Sequence, residues 1–133
     1  MGTTGLEGAF LLAGWLNGVD PALLSSLCYV ESNHRINAYV RQDGGSPSIG
    51  VCQVKLATAR ALGHVEGEKA LMDASANSYY AAKYLRKQFD RYKSWKKAVS
   101  AYNAGRAIKG NKKYVDRVMR GWGRREADCL QLR

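Results

Sequence analysis

The sequence predicts a mainly α-helical protein, and three observations carry that expectation. Helix punctuation recurs along the chain: Asp20-Pro21, Asp73 and Ser94 stand where N-caps belong, and Gly18, Gly63 and Gly105 stand where helices stop. Alternating runs rich in Val, Ile and Thr, the mark of half-buried strands, are almost absent. The composition, 46% hydrophobic and 24% charged over 133 residues, suits one globular domain (1–133) around one core.

Taken in order, the first helix opens with Thr4 three residues before Glu7, as in a capping box, runs through GAFLLAGWL and stops at Gly18. Asp20 caps a second helix with proline at its first position, which extends to about Ser32. Residues 33–50 hold Asp43, Gly44, Gly45, Ser46, Pro47, Ser48 and Gly50, the composition of a long loop or at most a small β-hairpin. A short helix over about 55–62 ends at Gly63. Asp73 caps a long one over about 74–91, with Ala76, Tyr80, Tyr84 and Leu85 spaced as a buried face. Ser94 caps the next, which Gly105 ends. Asn111 opens another over about 112–120, and a shorter helix follows Gly123. There is no internal repeat, no low-complexity segment and no Pro/Gly/Ser-rich linker.

Several function classes are disfavoured at this level. No apolar run approaches the length of a bilayer span. GAFLLAGWL has the hydrophobicity of a signal-peptide core, but no Lys or Arg precedes Arg35 and no small-x-small cleavage site follows. The expectation is a chain made and folded in a cytoplasm without a signal peptide. Three cysteines, Cys28, Cys52 and Cys129, match neither a zinc site nor a C-x-x-C pair, and read as small buried hydrophobes with free thiols. Neither His34 nor His64 has the context of a catalytic base. No metal site and no cofactor are expected.

Charge is distributed unevenly. Residues 1–82 carry five basic and seven acidic side chains (net −2), and residues 83–133 carry sixteen basic and four acidic (net +12), which together give the +10 of the chain. A half this basic favours a polyanionic partner, whether nucleic acid, an acidic membrane surface or an acidic polysaccharide, or else serves only as a solubilising surface.

The candidate catalytic residue is Glu31, in LLSSLCYVESNH. On a helix of 3.6 residues per turn it shares a stripe with Cys28, Leu27 and Leu24, which is the apolar stripe. A carboxyl group against apolar walls resists ionisation, and one still protonated near neutral pH can donate a proton to a leaving group. The helical wheel alone leaves open a Glu31 turned to solvent or paired with Arg35.

Four segments settle the direction of the reading. Glu31-Ser32, with Asn37-Ala38 close behind, then SIGVCQ at 48–53 followed by Thr58-Ala59, then AYNAG at 101–105, then Tyr114-Val115 followed by Val118, occur in the order found in SLT-type lytic transglycosylases, a family near goose-type lysozyme. The sequence resembles that family over about residues 20–118. The resemblance implies a lysozyme-like helical domain with its substrate cleft beside the end of the catalytic helix. It implies Glu31 as catalytic acid and later base, and Ser48, Gln53, Tyr102, Asn103 and Tyr114 as substrate-binding residues of the cleft. It further implies cleavage of the MurNAc–GlcNAc β-1,4 bond of peptidoglycan, assisted by the N-acetyl group, with attack by the sugar's own C6 hydroxyl to give a 1,6-anhydro product. Lys55 and Leu56 depart from the methionine and proline usual in the family. Asp43 is the one acidic residue of the adjoining loop and is placed to position a water, so a hydrolytic muramidase of the same fold is the alternative.

The expected partner is therefore the glycan strand of peptidoglycan, with no nucleic acid, no transmembrane anchor and a monomeric chain acting at the bacterial cell wall. Delivery by bacteriophage lysis or with a virion fits this expectation, and secretion with a signal since removed fits it equally well. Two further classes compete: a basic helical module that binds nucleic acid, which accounts for the charge but not for AYNAG or SIGVCQ, and an inactive sugar-binding relative, against which the intact Glu31 stands.

Overall fold

The computed structural model describes residues 5–131. Their order is α1 (Gly5–Asn17), α2 (Pro21–Ser32), β1 (Tyr39–Asp43), β2 (Ser46–Ile49), β3 (Val54–Lys55), α3 (Leu56–Ala61), α4 (Glu68–Met72), α5 (Ala74–Tyr92), α6 (Trp95–Ala104) and α7 (Lys112–Gln131). The mainly helical, lysozyme-like expectation holds. Phe10, Leu23, Leu24, Leu27, Ile49, Val51, Leu85, Val99 and Val118 meet in one core cluster.

Local chemistry accounts for the boundaries. Asp20 accepts from the backbone N–H of Ala22 and Pro21 opens α2, and Asn33, in the left-handed region, closes it by donating its N–H to the carbonyl of Tyr29. Asp73 caps α5 through Ala76 N–H, and Ser94 caps α6 through Lys97 N–H. Gly105 ends α6 at φ 84°, where a side chain would be strained. The capping box assigned to Thr4 lies outside the described residues.

The 33–50 segment is more regular than its composition suggests. Gly44 and Gly45, both at positive φ, turn β1 back on β2, and β2 pairs antiparallel with β3, so the sheet has three strands in the order β1-β2-β3. The third strand is two residues long and carries no β-signal of its own. Helix α4 is five residues long, too short to show a period, and the sequence reading passed over it. The buried face of α5 is Asn77, Ser78, Ala81, Ala82, Leu85 and Gln88, whereas Ala76, Tyr80 and Tyr84 are half-buried. Packed between α1 and α6, this helix buries small residues and amides, and its tyrosines fall at the flanks.

Helix α7 does not stop near residue 120 but continues through Gly121 and Gly123. It crosses α2 antiparallel: Ser26 Oγ donates to the carbonyl of Val118 at 2.6 Å, Arg125 Nε donates to Ser25 Oγ, and Trp122 Nε1 donates to Asp20. Gly121 is the crossing point, where a Cβ would collide with the Ser26 hydroxyl. This glycine is selected by close helix packing. Asn111 stands directly before α7, as expected of its cap residue, with its carbonyl accepting from Val115 N–H. Its amide spans to α6, donating to the carbonyl of Ser100 and accepting from the Ser100 hydroxyl. Helix α1 packs on α5 and α2 through Ala9, Phe10, Ala13 and Gly14, and leaves Leu11, Leu12, Trp15 and Leu16 exposed.

Gly121→Val should therefore push α7 off α2. Urea denaturation is expected to show a loss of about 1–3 kcal/mol, typical of overpacking a close contact, whereas Gly123→Ala, with open space around it, should be neutral or stabilising.

Candidate active site

Glu31 occupies the last turn of α2. The residues behind it on the same stripe, Leu24, Leu27 and Cys28, are fully buried, so the apolar face that the sequence marks is a core face and Glu31 is its outer edge. Its carboxylate oxygen Oε2 accepts a hydrogen bond from the Tyr114 hydroxyl at 2.6 Å. Arg35 is not its partner; that guanidinium donates to the carbonyl of Ser32. Burial raises the Glu31 pKa from 4.5 to about 7, ahead of the Tyr114 hydrogen bond, which favours the ionised form, and of the nearby Asp43 charge, which disfavours it.

Glu31 opens onto a cleft of about 240 Å³, lined also by Asp43, Ser48, Gln53, Tyr102 and Asn103. Five of the six predicted site residues thus share one cavity. The sixth, Tyr114, stands behind Glu31 and holds it. A second depression on the other side, reaching Arg35, Asn37 and Tyr39, is also bordered by Glu31 and Gln53. Glu31 and Gln53 thus line both depressions.

Each predicted residue already has a partner within the protein. Tyr102, from α6, is buried and donates its hydroxyl to the carbonyl of Cys52 at 2.7 Å. Burial pushes the Tyr102 and Tyr114 phenols well above their ordinary range, so both remain protonated donors. Ser48 donates to Asp43 at 2.6 Å, and Asn103 accepts from Asn111. Gln53, in the left-handed region at φ 52°, donates from Nε2 to the carbonyl of Gly50. Its Oε1 and second N–H are free of that bond, which leaves both a donor and an acceptor for a ligand.

The segment 50–53 is fixed from four directions. Asn77 of α5, fully buried, accepts from Cys52 N–H and donates to the carbonyl of Ile49, and Gly50 lies so close to its amide that a Cβ there would clash. Tyr102 holds Cys52 from α6. Ser32, at the end of α2, donates to the carbonyl of Val51 at 2.6 Å. The fourth tie corrects the free-thiol expectation: Cys28 and Cys52 form a disulfide. The pairing is invisible in the spacing, since 24 residues separate the two cysteines and an odd count suggests no partner. The fold brings their Cα atoms to 4.2 Å. The side chain of Cys129 lies outside the described residues.

Asn77, Ser32, Lys55 and Tyr84 complete the site without standing among the predicted residues. Lys55 and Tyr84 line the cleft, with Lys55 Nζ 4.0 Å from Asp43. Nothing in the sequence around Asn77 separates it from any other polar residue of a helix.

The arrangement can deliver a proton from a sheltered carboxylic acid to a ligand in a groove lined by amides, hydroxyls and aromatic rings, the surface that suits a sugar. The fold is that of a mainly helical, lysozyme-like domain with a cleft beside the end of α2. The model of the transglycosylase SLT domain family matches residues 9–119, and the chain belongs to that family. No curated protein and no solved structure matches the chain. Family membership implies peptidoglycan as substrate and the cell wall as place of action. Among the described residues no helix is long and apolar enough to cross a membrane.

The raised pKa carries a stability consequence with a definite sign. A carboxyl that binds its proton more tightly when folded contributes most below its unfolded value of 4.5, and that contribution is lost as pH rises through about 7. Glu31→Gln, which is neutral at every pH, should be more stable than the wild type at pH above 7 by up to about 3 kcal/mol. The advantage should vanish in acid, as thermal unfolding across that range will read.

Proposed function

We propose that the protein is a peptidoglycan lytic transglycosylase that cleaves the MurNAc–GlcNAc β-1,4 bond, with Glu31 as the single general acid and base. The observation that carries this reading is a buried carboxylic acid, its pKa raised to about 7, at the wall of a cleft lined by amide, hydroxyl and aromatic side chains. In the first step Glu31 gives its proton to the glycosidic oxygen as the C1–O bond breaks, and the N-acetyl group supports the cationic centre from the opposite face. In the second, the Glu31 carboxylate takes the proton of the C6 hydroxyl while that oxygen bonds to C1. A 1,6-anhydro ring closes and the acid is restored.

The other residues take roles consistent with their positions. Tyr114 orients Glu31 and tempers its basicity. Gln53 and Asn103 recognise sugar hydroxyls or the N-acetyl group. Tyr102 presents a ring to the sugar while its hydroxyl holds the 50–53 turn, and Ser48 steadies Asp43 at the cleft edge.

Asp43 favours a second reading. It shares the cleft with Glu31, and a carboxylate there could hold a water for direct attack, giving a hydrolytic muramidase. Mass spectrometry of released muropeptides separates the two: products lighter by one water support the transglycosylase, and reducing ends support the hydrolase.

Glu31→Gln should abolish turbidity loss of a peptidoglycan suspension while the protein stays folded and bound to it; full activity in that variant would overturn the mechanism. Activity of the wild type should fall as pH rises through about 7, where the acid loses its proton. Because the Tyr114 hydrogen bond lowers the Glu31 pKa, Tyr114→Phe should move that alkaline limb to higher pH, with reduced maximal activity. A limb unmoved by this change would mean that Tyr114 does not govern the acid.

A further inference from the structure

We propose that the Cys28–Cys52 disulfide is a positioning element of the catalytic cleft, and that its formation converts a latent chain into the active enzyme. The inference rests on the function proposed above. It adds a covalent requirement that neither the family nor the catalytic roles assign.

The bridge joins the two segments whose relative placement defines the site. Cys28 precedes Glu31 by one helical turn on α2, and Cys52 adjoins Gln53. Between them in sequence lie β1 and β2, which bring Asp43 and Ser48 to the cleft. Both cysteines are fully buried, and the acid-bearing helix is also tied to the turn by the Ser32 hydrogen bond to Val51 and by packing of Leu27 and Val51 in the core.

Reduction has a steric consequence here beyond losing a cross-link. Two thiols need separate van der Waals envelopes in place of a shared bond. In a packed interior with no exposed margin, rotating the two side chains apart meets close-packed neighbours, so the backbone shares in the separation. The turn is anchored to α5 through Asn77 and to α6 through Tyr102, so α2 and the turn would part across the cleft, carrying Glu31 from Gln53. The fold has enough other contacts to survive, with α2 still held along its length by α7. A displacement of about 1 Å at a reacting group can cost on the order of a hundredfold in rate.

Formation of the bridge balances as a thiol–disulfide exchange. One thiolate attacks a disulfide of the oxidant, a protein or small-molecule disulfide. The second thiolate then attacks the protein-side sulfur of that mixed disulfide, so the Cys28–Cys52 bond forms and the remaining oxidant thiolate leaves; the oxidant has taken two electrons and, as two thiol groups, the two protons that the cysteines gave up. A reducing compartment would hold the chain as the dithiol, and an oxidising one on the wall side would switch it on.

The test uses the full chain carrying Cys129→Ser, so that Cys28 and Cys52 are its two thiols. Oxidised and dithiothreitol-reduced forms are verified by alkylation and mass spectrometry, then compared on purified peptidoglycan sacculi across pH and by far-ultraviolet circular dichroism. The reduced form should keep its helical signal and lose activity about tenfold to a hundredfold. Its alkaline limb should move to lower pH, because Glu31, faced by Tyr114 from α7, Tyr102 from α6 and Asp43 from β1, gains water. Cys28→Ala/Cys52→Ala, added to the same chain, should be impaired alike in either buffer because it lacks the cross-link, but less than the reduced dithiol because it lacks the bulk of two thiols. Equal activity of both redox forms, full activity in the alanine pair, or global unfolding on reduction would each overturn the positioning role. An oxidised form that releases no muropeptide would instead overturn the proposed function itself, and this inference with it.

Discussion

The site depends on one competition at Glu31, between withdrawal from water and the 2.6 Å hydrogen bond from Tyr114. Burial alone would favour a permanently neutral acid, and a strong donor alone would favour a permanently ionised base. Set against each other, with burial the larger, they leave the carboxyl near the middle of its range at neutral pH, where it can both give and recover a proton. That balance requires Tyr114 to be delivered accurately, and the delivery is done by helix packing far from the cleft. Gly121 lets α7 approach α2 at Ser26, and Trp122 and Arg125 fix the register at the other end of the crossing. Tyr114 then arrives at Glu31 as the last contact of the same antiparallel pair.

The 50–53 turn answers a second constraint, that the opposite wall of the cleft be as rigid as the helix it faces. A turn with positive φ at both Gly50 and Gln53 has little regular backbone pairing of its own. Its backbone groups are instead satisfied by side chains from α2, α5 and α6. Buried polar groups tied this way are costly to leave half-bonded, so the turn is either assembled as a whole or not at all. Tyr102 illustrates the economy: the residue expected to bind sugar spends its hydroxyl on Cys52 and offers the cleft its ring.

What was legible in the sequence follows from the range of each interaction. Caps are local, so Asp20, Asp73, Ser94 and Gly105 could be read directly. The apolar stripe behind Glu31 is a property of one helix, and it too was readable. The motif residues Ser48, Gln53, Tyr102 and Asn103 carried a family pattern that marks a cleft wall without any knowledge of contacts. By contrast, the disulfide, the Asn77 amide and the role of Gly121 join segments 24 to about a hundred residues apart, and no local rule points to them. Gly121 and Gly123 even pointed the wrong way, because a glycine that ends a helix and one that admits a neighbouring helix look alike. β3 and α4 were missed for a simpler reason, being shorter than the periods used to find them.

The remaining chemical choice, between the sugar's own hydroxyl and a water, turns on how free Asp43 is to act. Its Oδ2 is occupied by Ser48 at 2.6 Å and its Oδ1 faces Lys55 at 4.0 Å. The lysine contact is half exposed and weakly worth having, but the serine bond is short and its donor is buried. With one oxygen accepting from a hydroxyl and the other facing a cation, Asp43 has less lone-pair capacity left to orient a water than a free carboxylate would. Glu31 has no such competitor on its second oxygen among the described residues. That contrast in occupancy sides with the proposed reading, in which one carboxyl makes both proton transfers because the leaving oxygen and the C6 hydroxyl lie on the same face of the sugar.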